Sequence, residues 1–313
     1  MGGRLPLISL RGFRRHGAAA GALAAALVAA ALLVPGAVHG SASDPSACGE
    51  PAAVAAAADP TPSGPTSWRP DPAAFAAVLQ RTGATLELAR FTTNFNHASP
   101  SQEANIALTA RKLTGYVVPA GGVFSYNKAT GPYTEAGGYG WGRMFVGDRI
   151  VPTIAGGVCQ GASTLYNVVL MANLPVVERH RHGLTVPYLP PGRDATVTES
   201  GGLDFRFRNN TGGPLVLWGQ ALDRELTLAM FGTKAPPAVT IHTEVLSRTP
   251  FRTDYIDDPT LAAGQSVVVA PGQEGAVSRT WVVVQTPEGA VRRDISQDNY
   301  RPSPRIIRRG TAP

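Results

Sequence analysis

Past residue 200 the apolar residues of this chain change their spacing. In "LDFRFRNNTGGPLVLWGQALDRELTLAMFG", residues 203–232, Leu203, Phe205 and Phe207 alternate with polar neighbours, and Asn209 to Gly213 supply turn formers. Alternation places every second side chain on one face of a strand, a period that a helix cannot use. "VVVAPGQEGAVSRTWVVVQTPEGAVRR" continues with β-branched runs broken by glycine turns, and no helical spacing returns after it. The chain is therefore expected to be α+β, with helices first and a long series of antiparallel strands after them.

Three upstream stretches carry helical spacing. "PAAFAAVLQRTG" predicts a helix from near Asp71 to Gly83, with Phe75, Val78 and Leu79 on one face. "SPSQEANIALTARKLTG" predicts a second, capped by Ser99 or Ser101, with Pro100 in the first turn and Glu103 near the positive helix end. Its apolar stripe of Ile106, Ala110 and Leu113 is narrow, Thr109 interrupts it, and Gly115 ends it. "AGGVCQGASTLYNVV" opens a third, with Leu165, Val168, Val169 and Ala172 on one face and Asn173 and Pro175 as the stop. Between them, "YVVPAGGVFSYN" reads as strand, turn and strand, "GPYTEAGGYGWGRMF" as a loop of glycines and aromatics, and "RIVPTIAGG" as extended.

Residues 1–42 have the layout of an export segment. Arg4, Arg11, Arg14 and Arg15 precede the uncharged run "GAAAGALAAALVAAALLV" and a small-residue stretch that a signal peptidase can cut after Ala42. The apolar run is also long enough for an uncleaved membrane anchor, with the arginines on the inner side. Both readings place the rest of the chain outside the cytoplasm, secreted or held at the membrane. The net charge of +6 falls to +2 without those four arginines. No basic cluster with interleaved aromatics occurs, so a nucleic-acid partner is not expected. Residues 43–70, rich in Ala, Pro and Ser, read as a disordered linker.

Several blocks, in order, resemble the VanW family, named for an accessory protein of vancomycin-resistance clusters. They are "FTTNFN", "NIALTARKLTGYVVPAGGVFSYN", "GPYTEAGGY", "AGGVCQGASTLYNVVLMANLPVVERHRH" and "VPYLPPGRDATV", running from about Phe91 to Phe231. Gly161-Ala162 and Arg181 depart from the usual pattern. The resemblance suggests a VanW-like domain over 71–235. Farther on, "PFRTDYIDDPTLAAGQ", "PGQEGAV" and "RIIRRGT" resemble the G-five domain, its five glycines matching Gly264, Gly272, Gly275, Gly289 and Gly310. This second resemblance, over 236–313, implies an elongated all-β module of secreted bacterial proteins that binds N-acetylglucosamine-containing polymers. Peptidoglycan or another cell-wall glycan is the partner the two resemblances imply.

The VanW resemblance does not bring a settled reaction, so chemistry rests on the residues. Cys159 stands at a helix start, where backbone N–H groups and the helix dipole favour a thiolate. His182 and Asp194 follow in the Cys, His, Asp order of papain-like and transglutaminase-like enzymes. In that reading Cys159 is the nucleophile of a peptidase, amidase or acyltransferase on cell-wall peptides, His182 relays the proton and Asp194 orients His182. Gln160 is a candidate oxyanion donor. Gly156 and Gly157 leave room for substrate, and Tyr126, Asn127, Glu135, Trp141 and Arg193 are candidate groove residues. Cys159 can equally be a small buried hydrophobe in a non-catalytic wall-binding scaffold, or half of a disulfide with Cys48. His180 and His182, two apart and joined by His97 or Asp194, are weak metal candidates without an H-E-x-x-H motif. No cofactor is expected.

Overall fold

The computed structural model describes residues 61–146, 149–198 and 202–312. The expected export segment, Cys48 and the linker up to residue 60 lie outside the described residues. The remaining linker is not loose: Trp68 exchanges two backbone hydrogen bonds with Ala221. Among the described residues no helix is long and apolar enough to cross a membrane.

The first part of the fold runs α1 (Pro72–Thr82), β1 (Leu86–Asn94), α2 (Pro100–Leu113), β2 (Val117–Val118), β3 (Val123–Ser125), α3 (Tyr126–Thr130), β4 (Trp141–Val146), β5 (Arg149–Ile154), α4 (Val158–Met171), β6 (Val176–Glu178), β7 (Arg206–Arg208), β8 (Leu215–Leu222) and β9 (Glu225–Gly232). Strands order β1-β9-β8-β2 in one sheet and β3-β7-β6 in a second, and β4 pairs with β5. Thus "YVVPAGGVFSYN" gives two strands that turn to different sheets, and the end of the expected aromatic loop is β4. The α+β expectation holds, with strands dominating.

Local chemistry explains the helices. Asp71 caps α1 by accepting from the Ala73 amide at 2.9 Å, and Gly83 closes it in the left-handed region. Phe75 with Val78 and Leu79 then packs on Val216 and Phe231. Ser99 and Gln102 form a reciprocal capping box at the start of α2. This helix is buried far beyond the narrow stripe read from its sequence: Ser101, Glu103, Asn105 and Thr109 are buried with the apolar residues. Asn105 makes this tolerable, its amide nitrogen donating to Gly140 O and Gly156 O while its oxygen accepts from Gly140 N. Helices α2 and α4 cover the four-stranded sheet, and their Ile106, Leu113, Leu165 and Val169 share one core with Leu217 and Leu228.

The second part is all strand: β10 (Val239–Thr249), β11 (Thr253–Ala262), β12 (Ser266–Gln273), β13 (Gly275–Thr286), β14 (Gly289–Tyr300) and β15 (Ser303–Ala312). They form two three-stranded sheets, β10-β13-β14 and β11-β15-β12, with β15 parallel to β11 and antiparallel to β12. The end of β12, the middle of β13 and the end of β14 with Arg301 after it face the segment 179–197, which leaves β6 and carries both candidate imidazoles and Asp194. Arg301 N donates to Gly183 O at 2.8 Å and Gln273 Nε2 to Thr185 O at 2.6 Å.

A candidate active site at the start of helix α4

Gly157 takes φ +107° to turn the chain into α4, a conformation that a side chain rarely adopts. No side chain caps this helix. The Val158 and Gln160 amides turn back to Ala155 O and Gly157 O. The Cys159 amide between them makes no hydrogen bond among the described residues, as the first-turn donors of an uncapped helix do. Tyr126, wholly buried, holds this turn from behind by donating to Val158 O at 2.9 Å.

Cys159 carries a free thiol. Its sulfur accepts from Val197 N at 3.5 Å and lies 3.5 Å from the Thr196 hydroxyl. The His182 ring is within hydrogen-bonding reach of the same sulfur. His182 Nδ1 is 2.6 Å from Asp194 Oδ2, and the His182 amide donates to that oxygen at 2.8 Å. Nδ1 is thus occupied and Nε2 is left for the thiol. On its other side Asp194 accepts from Arg179 at 3.2 Å and from the Tyr300 hydroxyl.

The electrostatics follow from this chain of contacts. Burial alone pushes the Cys159 thiol up, but hydrogen bonding to His182 and its charge outweigh that, helped by Val197 N–H and Thr196, so the thiol lies below its ordinary value. Burial lowers His182, yet Asp194 and Cys159 together raise it to about 9. Burial raises Asp194, and His182, Arg179 and Tyr300 reverse this, holding the carboxyl at about 2. The shifts of Cys159 down and His182 up run in the direction of a thiolate–imidazolium pair backed by a carboxylate.

A cavity of about 640 Å³ opens over the sulfur. Gly156, Gly157, Cys159, Gln160 and His182 line it, together with Phe95, His97, Gln102, Tyr133, Tyr188 and Thr196, which were not expected as lining. Their loop positions gave no periodic signal.

Other expected site residues are elsewhere. Gln160 reaches the cavity wall, but its amide nitrogen donates to Thr93 Oγ1 at 2.9 Å and Asn94 O at 2.8 Å, so both N–H bonds tie α4 to β1 and neither is left for an oxyanion. Tyr126 is a core residue. Asn127 binds Thr198 O and Leu203 O beside a separate hollow with Pro132 and Tyr133. Trp141 is exposed, with Nε1 on Glu135 at 3.1 Å and neither residue in the cavity. Arg193 binds Asn167 and packs over Phe91, pointing to the core. His180 pairs with Glu178 at 3.0 Å while His182 pairs with Asp194, so the two imidazoles do not converge. Among the described residues no group of three or more His, Cys, Asp or Glu is placed to hold a metal.

Residues 101–231 match the model of the VanW-like protein family, and residues 240–312 match the G5 domain. The chain carries a VanW-like domain followed by a G5 domain. It is 36% identical over 149 residues to the uncharacterized protein YoaR of Bacillus subtilis (strain 168), covering 48% of this chain and 49% of that one. It is 27% identical over 142 residues to the vancomycin B-type resistance protein VanW of Enterococcus faecalis (strain ATCC 700802 / V583), covering 43% and 50%. The chain thus spans about half the length of these curated relatives. Solved structures similar to it include the IgA1 protease G5 domain, at 25% identity over 26% of this chain and all of that one, with TM-score 0.18. The HP0197 G5 domain covers 23% of this chain and 97% of its own at 18% identity, with TM-score 0.15. Cys159, His182 and Asp194 all belong to the VanW-like domain, and Tyr300 to the G5 domain.

Proposed function

We propose that this chain is an exported, cell-wall-associated protein whose VanW-like domain carries a cysteine-dependent acyl-transfer site, with the G5 domain binding wall glycan. The pairing of a VanW-like with a G5 domain supports the wall association. The meeting of Cys159, His182 and Asp194 beneath one cavity supports the chemistry and carries the proposal. In this reading the Cys159 thiolate attacks the carbonyl carbon of a peptide or amide bond in peptidoglycan, forming a C–S bond. The oxyanion is met by the Cys159 amide, not by the Gln160 side chain. The C–N bond then breaks, and the imidazolium of His182 gives its proton to the departing amine. Water, or an acceptor amine, attacks the thioester while His182 takes the proton, and the thiolate leaves. Asp194 holds the imidazole in one orientation throughout.

A second reading, a non-catalytic wall-binding scaffold, has one observation in its favour: the Cys159 sulfur already bonds to Thr196 and the Val197 backbone, as a structural thiol would. The pH dependence of iodoacetamide alkylation separates the two. It should be read by mass on the Cys159 peptide so that Cys48 does not contribute. Fast reaction near neutral pH that slows at least tenfold in His182→Ala supports the nucleophile. A thiol that reacts only after unfolding overturns it and leaves the scaffold.

A further inference from the structure

We propose that the G5 domain completes the VanW-like site: the end of β14 positions Asp194, directly through Tyr300 and indirectly through Asp298 and Arg179. The proposal rests on the nucleophile reading above and adds to it a role for residues outside the VanW-like domain.

Tyr300 is wholly buried, and its hydroxyl accepts from the Gly192 amide at 2.7 Å. A phenol has a single proton, and here it points to Asp194 Oδ1. The carboxylate is thereby held on both sides. Oδ2 accepts from the His182 backbone and faces its ring, and Oδ1 accepts from Tyr300 and Arg179. Arg179 is itself clamped, with one nitrogen on Asp298 at 2.6 Å and Nε on Asp194 O at 2.7 Å. It also lies over the Tyr166 ring. The loop before Asp194 is pressed to the same domain: Gly192 has φ +94°, a Cβ there would stand 2.3 Å from Thr280 Oγ1, and Thr280 donates to Gly192 O at 3.2 Å. A carboxylate with every lone pair engaged cannot swing, so the imidazole it holds keeps one orientation, with Nδ1 on Asp194 and Nε2 left for the thiol. A glycan-binding domain on a free tether needs none of this. The contacts make it a support behind the reaction centre.

The test uses the whole protein and the same Cys159 alkylation profile, with melting temperature measured beside it. Tyr300→Phe keeps the ring and removes the proton given to Asp194. Asp298→Asn keeps the shape and removes the charge that holds Arg179. Both are expected to move the reactive limb to higher pH, by about one unit for Tyr300→Phe, which slows reaction at neutral pH about tenfold. In an Asp194→Asn background Tyr300→Phe should add almost nothing, because it acts through that carboxylate. If one variant fails to fold, the other decides. A limb that stays at the wild-type pH in a folded variant, even with a lowered melting temperature, makes the contact structural and overturns the proposal. That outcome is distinct from a wild-type limb that ignores His182→Ala, which overturns the nucleophile reading as well.

Discussion

Asp194 gathers four contacts around its two carboxylate oxygens, from the His182 amide and ring, Arg179 and Tyr300, and sits 1% exposed, while Arg179 also grips its backbone carbonyl. Its carboxyl is held at about 2 against an ordinary 3.8, so it binds its proton less readily in the folded protein than in the unfolded chain. Such a group stabilises the fold above pH 3.8, and that stabilisation is lost as pH falls through 2. We expect the urea midpoint to drop between pH 5 and pH 2.5 by the equivalent of about 2 kcal/mol, and Asp194→Asn to remove most of this acid dependence. The same variant takes away the main partner that raises His182 to about 9. Its ring titration, followed by NMR, should then move down toward 6.5, and Cys159 should lose reactivity at neutral pH.

Among the elements, α2 and α4 decide where the thiol stands. Asn105 on α2 ties Gly156, one residue before the Gly157 turn, to Gly140. Asn105→Ala leaves Gly140 N and Gly156 O without their partner, while Gly140 O keeps the Ala155 amide, and should cost about 2 kcal/mol, measured by urea unfolding. Gly157→Ala meets two obstacles, a φ of +107° and Gln102 O at 3.1 Å. It should lower stability by about 1–2 kcal/mol and slow Cys159 alkylation by shifting the helix start. These elements also mark what the sequence made legible. The caps at Asp71 and Ser99 and the spacing of Leu165, Val168 and Val169 are local signals, and they gave the helices correctly. The burial of α2 was not legible, because Asn105 and Thr109 read as polar and the backbone groups that Asn105 binds are distant in the chain. Cys159, His182 and Asp194, which the structure brings together, could be singled out by type and order. Tyr126, Asn127, Trp141 and Arg193 were misplaced because an aromatic or cation in a glycine-rich loop looks the same whether it faces a core or a cleft. Tyr300 gave no signal, since only the meeting of β14 with the 190s loop brings it to Asp194.

Across the whole molecule, the VanW-like and G5 domains share buried polar groups, Arg179 with Asp298 and Gly192 with Thr280. Removing residues 236–313 would leave Arg179 and Gly192 without those partners and Asp194 without Tyr300. We expect the shortened protein to melt well below the intact chain, and the intact chain to show one calorimetric transition; two separated transitions would contradict this coupling. The distance along the chain between Asp194 and Tyr300 has a consequence in time. They are 106 residues apart. A chain that emerges amino end first presents Cys159, His182 and Asp194 long before Tyr300 arrives. On the proposal above, the cysteine would be an ordinary thiol through that interval. Under the proposed reading, reactivity would be switched on by the completion of folding, so an exported chain would travel chemically quiet and be armed only where it finishes.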